Sequence, residues 1–131
     1  MTAPARFPDG PAAVYLIDPM GAPRMTQRDR WKKRPVVERY HAFRDAVRHN
    51  RVRIPEAGAH ITFVIPMPDS WSKARRKANI WQPHQQRPDV DNLAKALLDA
   101  VYAEDCRVHD LRVSKIWGDY GMIVVSEGAY G

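Results

Sequence analysis

The sequence predicts a single α+β (mixed α/β) domain, in which helices pack on one small mixed β-sheet. Three observations support this prediction. A chain of 131 residues that is 44% hydrophobic and 27% charged is the size of one domain and has enough apolar material for one core. Segments with the two-residue period of strands are interspersed with segments that have the helical period. The single cysteine, Cys106, excludes an internal disulfide, and no zinc-finger spacing of Cys and His occurs.

The first half of the chain predicts an arm, a strand and a helix. Residues 1–12 contain three of the 11 prolines and no periodicity, which indicates a flexible N-terminal arm before a domain of residues 13–131. The apolar run Ala13 to Ile17 predicts a strand that enters the strongly basic loop Gly21 to Arg34. From Pro35 to His49, apolar residues recur every three or four positions and predict an amphipathic helix.

The second half predicts three strands and one or two helices. His60 to Met67 alternates as a strand does, with Ile61, Phe63 and Ile65 toward the core. Ser70 to Asn79 is either a short helix or an ordered loop, and prolines keep Trp81 to Asp89 extended. A stripe of Leu93, Leu97 and Val101 predicts a helix that begins near Asp91. Val108 to Trp117 and Met122 to Ser126 predict an antiparallel hairpin with its turn at Gly118 to Gly121.

The net charge of +6 is distributed unevenly along the chain. Two stretches, Arg24 to Arg53 and Lys73 to Lys77, hold 15 of the 21 Lys and Arg residues. The net charge is negative from Asp89 to Asp110, where six residues are acidic and two are basic. A metal-dependent nuclease needs both features, because cations hold phosphates while carboxylates bind the ion that activates water. Simple pairing of acidic and basic segments at the surface is the alternative explanation.

Asp89 and Asp91 are the strongest candidates for a metal site. In extended chain, side chains two residues apart point to the same side, so both carboxylates could reach one hard cation. Lys95, one helical turn after Asp91, would lean back toward it. The alternative is that Asp91 is only a helix N-cap, paired at the surface with Lys95. Asp105 or Asp110 could supply a third carboxylate.

The acidic region contains an uncommon string. It begins with Pro83-His84, continues with Arg87-Pro88-Asp89-Val90-Asp91-Asn92-Leu93-Ala94-Lys95, and is followed by Asp99-Ala100-Val101 and by Glu104-Asp105-Cys106-Arg107-Val108 through Lys115. These residues resemble the signature of RusA-like Holliday junction resolvases, including phage-encoded members. A weaker resemblance lies in Pro23-Arg24-Met25-Thr26.

The resemblance implies a homodimeric, Mg2+-dependent endonuclease, with Mn2+ as an alternative ion, that cuts four-way DNA junctions symmetrically in recombination and repair. It implies that Asp89, Asp91 and Asp105 bind the metal and that Lys95 is the catalytic lysine. The family commonly has Asp-Asp-x-Gln at residues 104–107, and the connection before them is shorter here than usual, so Asp110 is the alternative third ligand. The basic residues expected to contact DNA are Arg24, Lys73, Arg75, Arg76, Lys77 and Arg87.

Two other functions stay open at this point. One is a less selective nuclease that cuts flaps, forks or other branched DNA. The other is a basic DNA-binding protein whose acidic segment is structural and which cleaves nothing. Apolar runs such as Met122 to Val125 are too short to cross a bilayer, and Met1 to Gly10 lacks an apolar signal core. We therefore expect a cytoplasmic protein without membrane contact, and the resemblance implies that it is bacterial or phage-encoded.

Overall fold

In the computed structural model, residues 12–23 and 35–127 are described, and they form one α+β domain with a four-stranded mixed sheet and three α-helices, as predicted. The strands are β1 (Ala12–Tyr15), β2 (Ala59–Pro66), β3 (Leu111–Gly118) and β4 (Met122–Glu127). The helices are α1 (Pro35–His49), α2 (Lys73–Asn79) and α3 (Val90–Val101), and a short 3-10 helix, Asp105–Arg107, follows α3. The predicted arm up to residue 11 and the basic residues 24–34, Arg24 included, lie outside the described residues.

The strand order across the sheet is β1-β4-β2-β3. β2 pairs in parallel with β3 and antiparallel with β4, and β4 pairs antiparallel with β1. The predicted hairpin of the last two strands is therefore wrong, because β2 lies between them. Residues 119–121 pass over the end of β2, where the Met67 N–H donates to the Gly118 carbonyl (2.9 Å). The central place suits β2, since six of its eight residues are buried.

The main core lies between one face of the sheet and the helices α1 and α3. Alternate residues of β2, Ala59, Ile61 and Phe63, are fully buried in it. The helices bury the apolar stripes expected from their period, namely Val37, Tyr40, Phe43 and Val47 in α1, and Leu93, Ala96, Leu97 and Ala100 in α3. This packing fixes the position of α3 against the sheet.

A smaller apolar cluster forms on the opposite face of the sheet. It consists of Val64, Ile116, Met122 and Val124, with Trp81 packed against it. Within the described residues, no helix is both long enough and apolar enough to span a bilayer.

Candidate functional site

The carboxyl ends of β1, β2 and β3 lie at the same end of the sheet. This follows from the pairing, because β1 and β2 both run antiparallel to β4 and β3 runs parallel to β2. The loop after β1, the chain that leads from β2 into α2, and the end of β3 therefore leave the sheet together. Ligand sites of open sheets with parallel strands commonly form at such an end. We call this end of the molecule the carboxyl edge.

The chain between α2 and α3 runs along the outer side of β3. The Trp81 N–H donates to the Trp117 carbonyl (2.9 Å), the Trp117 N–H donates to the Gln82 carbonyl (3.0 Å), and the His84 N–H donates to the Lys115 carbonyl (3.1 Å). These bonds keep the chain extended around Pro83 and His84, as its prolines predicted. They also cover the free edge of β3 and show that the segment runs antiparallel to β3, away from the carboxyl edge, so that α3 starts beside Lys115 in the middle of β3. The prediction of an extended chain from Trp81 to Asp89 is wrong elsewhere, because Trp81 has a φ of 63° and residues 85–87 form a bend.

Asp89 and Asp91 stand at the start of α3. Helix α3 begins at Val90, one residue before the predicted start, so Asp89 occupies the N-cap position and Asp91 lies in the first turn. The interpretation of Asp91 as the N-cap is therefore wrong. The Asp89 carbonyl accepts from the Leu93 N–H (3.1 Å), whereas the Asp89 side chain makes no capping hydrogen bond. Both residues are exposed to solvent.

Lys95 lies on the same face of α3 as Asp91. Both side chains line a cavity of about 460 Å3 between α3 and β3, whose other walls are the apolar residues Val90, Ala94, Leu98, Leu111 and Val113. The sequence predicted that Lys95 leans toward Asp91. Its Nζ lies 3.1 Å from Asp99, one turn in the other direction, and its side chain is 57% exposed. An exposed pair of this kind contributes only a few tenths of a kcal/mol.

The two candidates for a third carboxylate lie elsewhere on the backbone. Asp105 opens the 3-10 helix that follows α3, and the 12 residues of α3 span about 18 Å. Asp110 lies at the amino end of β3, where its carboxylate accepts from the Gly58 N–H (3.2 Å). Among the side chains described, which do not include that of Asp105, no three His, Cys, Asp or Glu residues are grouped so as to hold a metal. The two exposed carboxylates at the start of α3 are thus the part of the predicted ligand set that the fold brings together.

Lys115 is a residue of this site whose role the sequence did not predict. Its Nζ donates to the carbonyls of Gln86 (2.5 Å) and Pro88 (2.8 Å), immediately before Asp89. The one available signal was its place at the end of the resembling segment. Beside it, His84 is only 3% exposed and its ring packs on that of Trp117, with 4.2 Å between centroids. Burial and, secondly, the charge of Lys115 lower the pKa of His84.

The loop after β1 reaches the same place. The Asn92 Nδ2 group donates to the Ala22 carbonyl (3.3 Å), and a Cβ on Gly21 would lie only 2.4 Å from that nitrogen. The described part of this loop ends at Pro23, directly before the basic residues 24–34. The chain that carries the first basic stretch therefore leaves the described structure beside the start of α3.

Helix α2 carries the second basic stretch. It buries none of its residues and begins at an N-cap, Ser72, whose hydroxyl accepts from the Arg75 N–H (3.2 Å). The Arg75 guanidinium lies 3.9 Å from the ring centroid of Trp71, and Trp71 packs on Trp117 at the end of β3. These contacts attach the helix to the carboxyl edge.

The cations of this region differ in what they contact. Arg76 donates to the Pro68 carbonyl (2.9 Å) and lies 3.7 Å from Asp119. Lys73 and Lys77 of α2 and Arg87 before α3 are exposed. Helix α2 therefore carries positive side chains at the carboxyl edge, and Arg87 lies two residues before Asp89 in the chain. Cations near carboxylates are what a phosphate-binding metal site requires.

Comparison with known proteins identifies the family. A search of curated proteins found no match for the chain. A model of the family described as endodeoxyribonuclease RusA matches residues 17–126, which include every described element that positions the site except β1. This match confirms the resemblance that was carried by residues 83–115. The chain belongs to the endodeoxyribonuclease RusA family.

Proposed function

We propose that this protein is a Mg2+-dependent endodeoxyribonuclease that resolves four-way DNA junctions by paired cuts in recombination and repair, with Mn2+ able to replace Mg2+. The RusA family acts on Holliday junction DNA, and its nucleases depend on divalent metals. The observation that carries the proposal for this chain is the pair of exposed carboxylates, Asp89 and Asp91, at the start of α3, with the exposed cation Arg87 two residues before Asp89 and Lys95 one turn after Asp91.

Each group has a separate task in this proposal. Asp89 and Asp91 would hold the ion through oxygen ligands, and the chemistry it supplies when bound is activation of water and neutralisation of charge on the phosphate. Lys95 would turn from Asp99 toward the reacting phosphate and stabilise the negative charge that develops there. Arg87 and the cations of α2 would hold the neighbouring phosphates and orient the strand.

Asp105 remains the proposed third ligand, with Asp110 as the alternative. Substitution of each residue to Asn distinguishes the two assignments. If Asp105 is the ligand, Asp105→Asn loses cleavage and Asp110→Asn retains it. Loss with Asp110→Asn and retention with Asp105→Asn would reverse the assignment.

The experiment that tests the function is cleavage of labelled DNA by the purified protein. With Mg2+, a four-way junction should receive two symmetric cuts, and Asp91→Asn should lower the single-turnover rate constant at least about 100-fold. Junction binding should be retained or strengthened, because the substitution removes a negative charge near the phosphates. Asp45→Asn, an exposed substitution on α1, is the matched control and should cleave normally.

The same assay distinguishes the two alternatives. Equal cutting of flaps, forks and junctions would indicate a less selective nuclease. Junction binding without any Mg2+-dependent cut would indicate a DNA-binding protein. Wild-type activity of Asp91→Asn would contradict its role as a metal ligand.

We further propose that the protein acts as a homodimer, since a four-way junction presents two symmetry-related strands to be cut. Sedimentation at micromolar concentration should show a species of twice the 15.0 kDa chain mass, free or on the junction. A species of single-chain mass in both states would contradict the dimer.

A further inference from the structure

The carbonyl groups just before Asp89 are held by a side chain from another part of the chain. Residues 85–87 are exposed, and the sequence there does not continue a helix or a ladder of the sheet. Two of the carbonyls in this bend, those of Gln86 and Pro88, accept hydrogen bonds from the Lys115 ammonium. Beyond the backbone bonds that end at His84, the Lys115 side chain thereby links strand β3 to the residues that enter α3.

The geometry of the peptide unit explains why this link matters for Asp89. The Pro88 carbonyl and the Asp89 N–H belong to one planar unit, so a donor that fixes the carbonyl also fixes the plane from which Asp89 extends. The Lys115 Nζ lies 2.8 Å from that carbonyl. A bond from an ionised donor is about twice as strong as a neutral one. Because the Asp89 side chain makes no capping bond, the position from which its carboxylate extends is set by the backbone on either side of it.

Helix α3 itself restrains the other candidate ligand. Asp91 belongs to the first turn of a helix that is anchored in the core by Leu93 and Leu97, both fully buried. Asp89 stands outside the helix with extended backbone (φ −68°, ψ 149°). The spacing between the two carboxylates therefore depends on how the residues before α3 are held, and Lys115 holds them.

We propose that Lys115 is a positioning residue for the metal site: it fixes the bend of residues 86–88 so that the Asp89 and Asp91 carboxylates are spaced for one divalent cation before the cation binds. This inference rests on the proposed metal-dependent function. Groups that orient metal ligands commonly contribute 10- to 100-fold to metal affinity, about the range expected here.

The test measures binding of Mn2+ alone, without DNA, by the electron paramagnetic resonance signal of the free ion. Lys115→Met keeps the length of the side chain and removes its donors, and it should raise the Kd for Mn2+ about 10-fold or more. Lys115→Arg keeps charged donors and should restore most of the affinity. Arg48→Met is the matched control, because Arg48 also donates to a backbone carbonyl, that of Ala100 (3.3 Å), at the other end of α3. Its Kd should equal that of the wild type.

The outcomes separate this inference from the proposed function. Wild-type protein that binds no Mn2+ would overturn both. If the wild type binds Mn2+ and Lys115→Met binds it with the same Kd, the positioning role alone is overturned. This holds even if Lys115→Met has lower cleavage activity or lower thermal stability than the wild type. If Lys115→Met does not fold at 25 °C, Lys115→Gln, which retains an amide donor, replaces it. An affinity for Lys115→Gln equal to that of the wild type would then refute the need for a charged donor.

Discussion

The contact between the β1 loop and α3 gives a quantitative test of how the site is assembled. An alanine Cβ at Gly21 would lie 2.4 Å from Asn92 Nδ2 and 3.2 Å from Pro88 Cβ. The Asn92 amide must therefore rotate and give up its bond to the Ala22 carbonyl. The lost bond contributes about 1 kcal/mol and the remaining crowding costs about 1 kcal/mol, so Gly21→Ala should lower the free energy of unfolding by about 2 kcal/mol. For a domain of this size, that lowers Tm by about 8 °C.

A double-mutant cycle shows whether the loss comes from this contact. Asn92→Ala alone should cost about 1 kcal/mol, because the hydrogen bond is lost. In the Asn92→Ala background, the nearest obstacle to the new Cβ is gone, so Gly21→Ala should cost about 1 kcal/mol less than in the wild type. Urea unfolding followed by tryptophan fluorescence measures all four free energies of unfolding.

Additive losses, within about 0.5 kcal/mol, would refute the reasoning, because they would mean that the two side chains do not meet. Gly58→Ala is the control. Its Cβ would meet no atom within 4 Å, but its φ of +75° strains any residue with a side chain. It should destabilise the fold without coupling to Asn92.

Three further predictions concern charge. Lys95→Ala should lower the single-turnover rate constant about 100- to 1000-fold with little change in junction affinity, and near-normal turnover would contradict a catalytic role for Lys95. Replacing both Arg75 and Arg76 by Glu should make the slope of log binding constant against log salt concentration less steep by about 2, as measured by fluorescence anisotropy. An unchanged slope would mean that α2 does not contact the DNA. Because its pKa is lowered from 6.5, His84 should make the fold less stable as pH falls through about 6.5. His84→Phe should keep the packing on Trp117 and flatten this acid loss in urea unfolding between pH 7.5 and 5, whereas an unchanged slope would contradict the assignment.

The error over the last two strands shows where local pattern stops being informative. Alternation along β3 and β4 correctly indicated two strands, and the short connection favoured a hairpin. Pairing, however, is decided by which strand buries both of its faces best. β2 is that strand, and it reaches the place between β3 and β4 from about 50 residues earlier in the chain. No local period encodes a partner at that distance.

The helices show the opposite case. The stripes Val37-Tyr40-Phe43-Val47 and Leu93-Leu97 were visible in the sequence and are buried as expected. The start of α3 was predicted within one residue, but that one residue changes the position of Asp91 from cap to first turn. Such boundaries depend on hydrogen bonds at the helix end rather than on the apolar period.

The sequence by itself determined the chemistry of this protein: a basic chain with one acidic segment, the string from Arg87 to Lys95, and the membership that this string indicated. Tertiary structure alone decided which of those groups meet. It placed α2 at the carboxyl edge and the start of α3 beside the middle of β3, put the backbone of Asp105 beyond the other end of α3, and brought the Lys115 ammonium to the Pro88 carbonyl. The physical reason is that residue types and short periods are local properties, whereas the pairing of β2 with two distant strands sets the distances between groups that the chain keeps far apart.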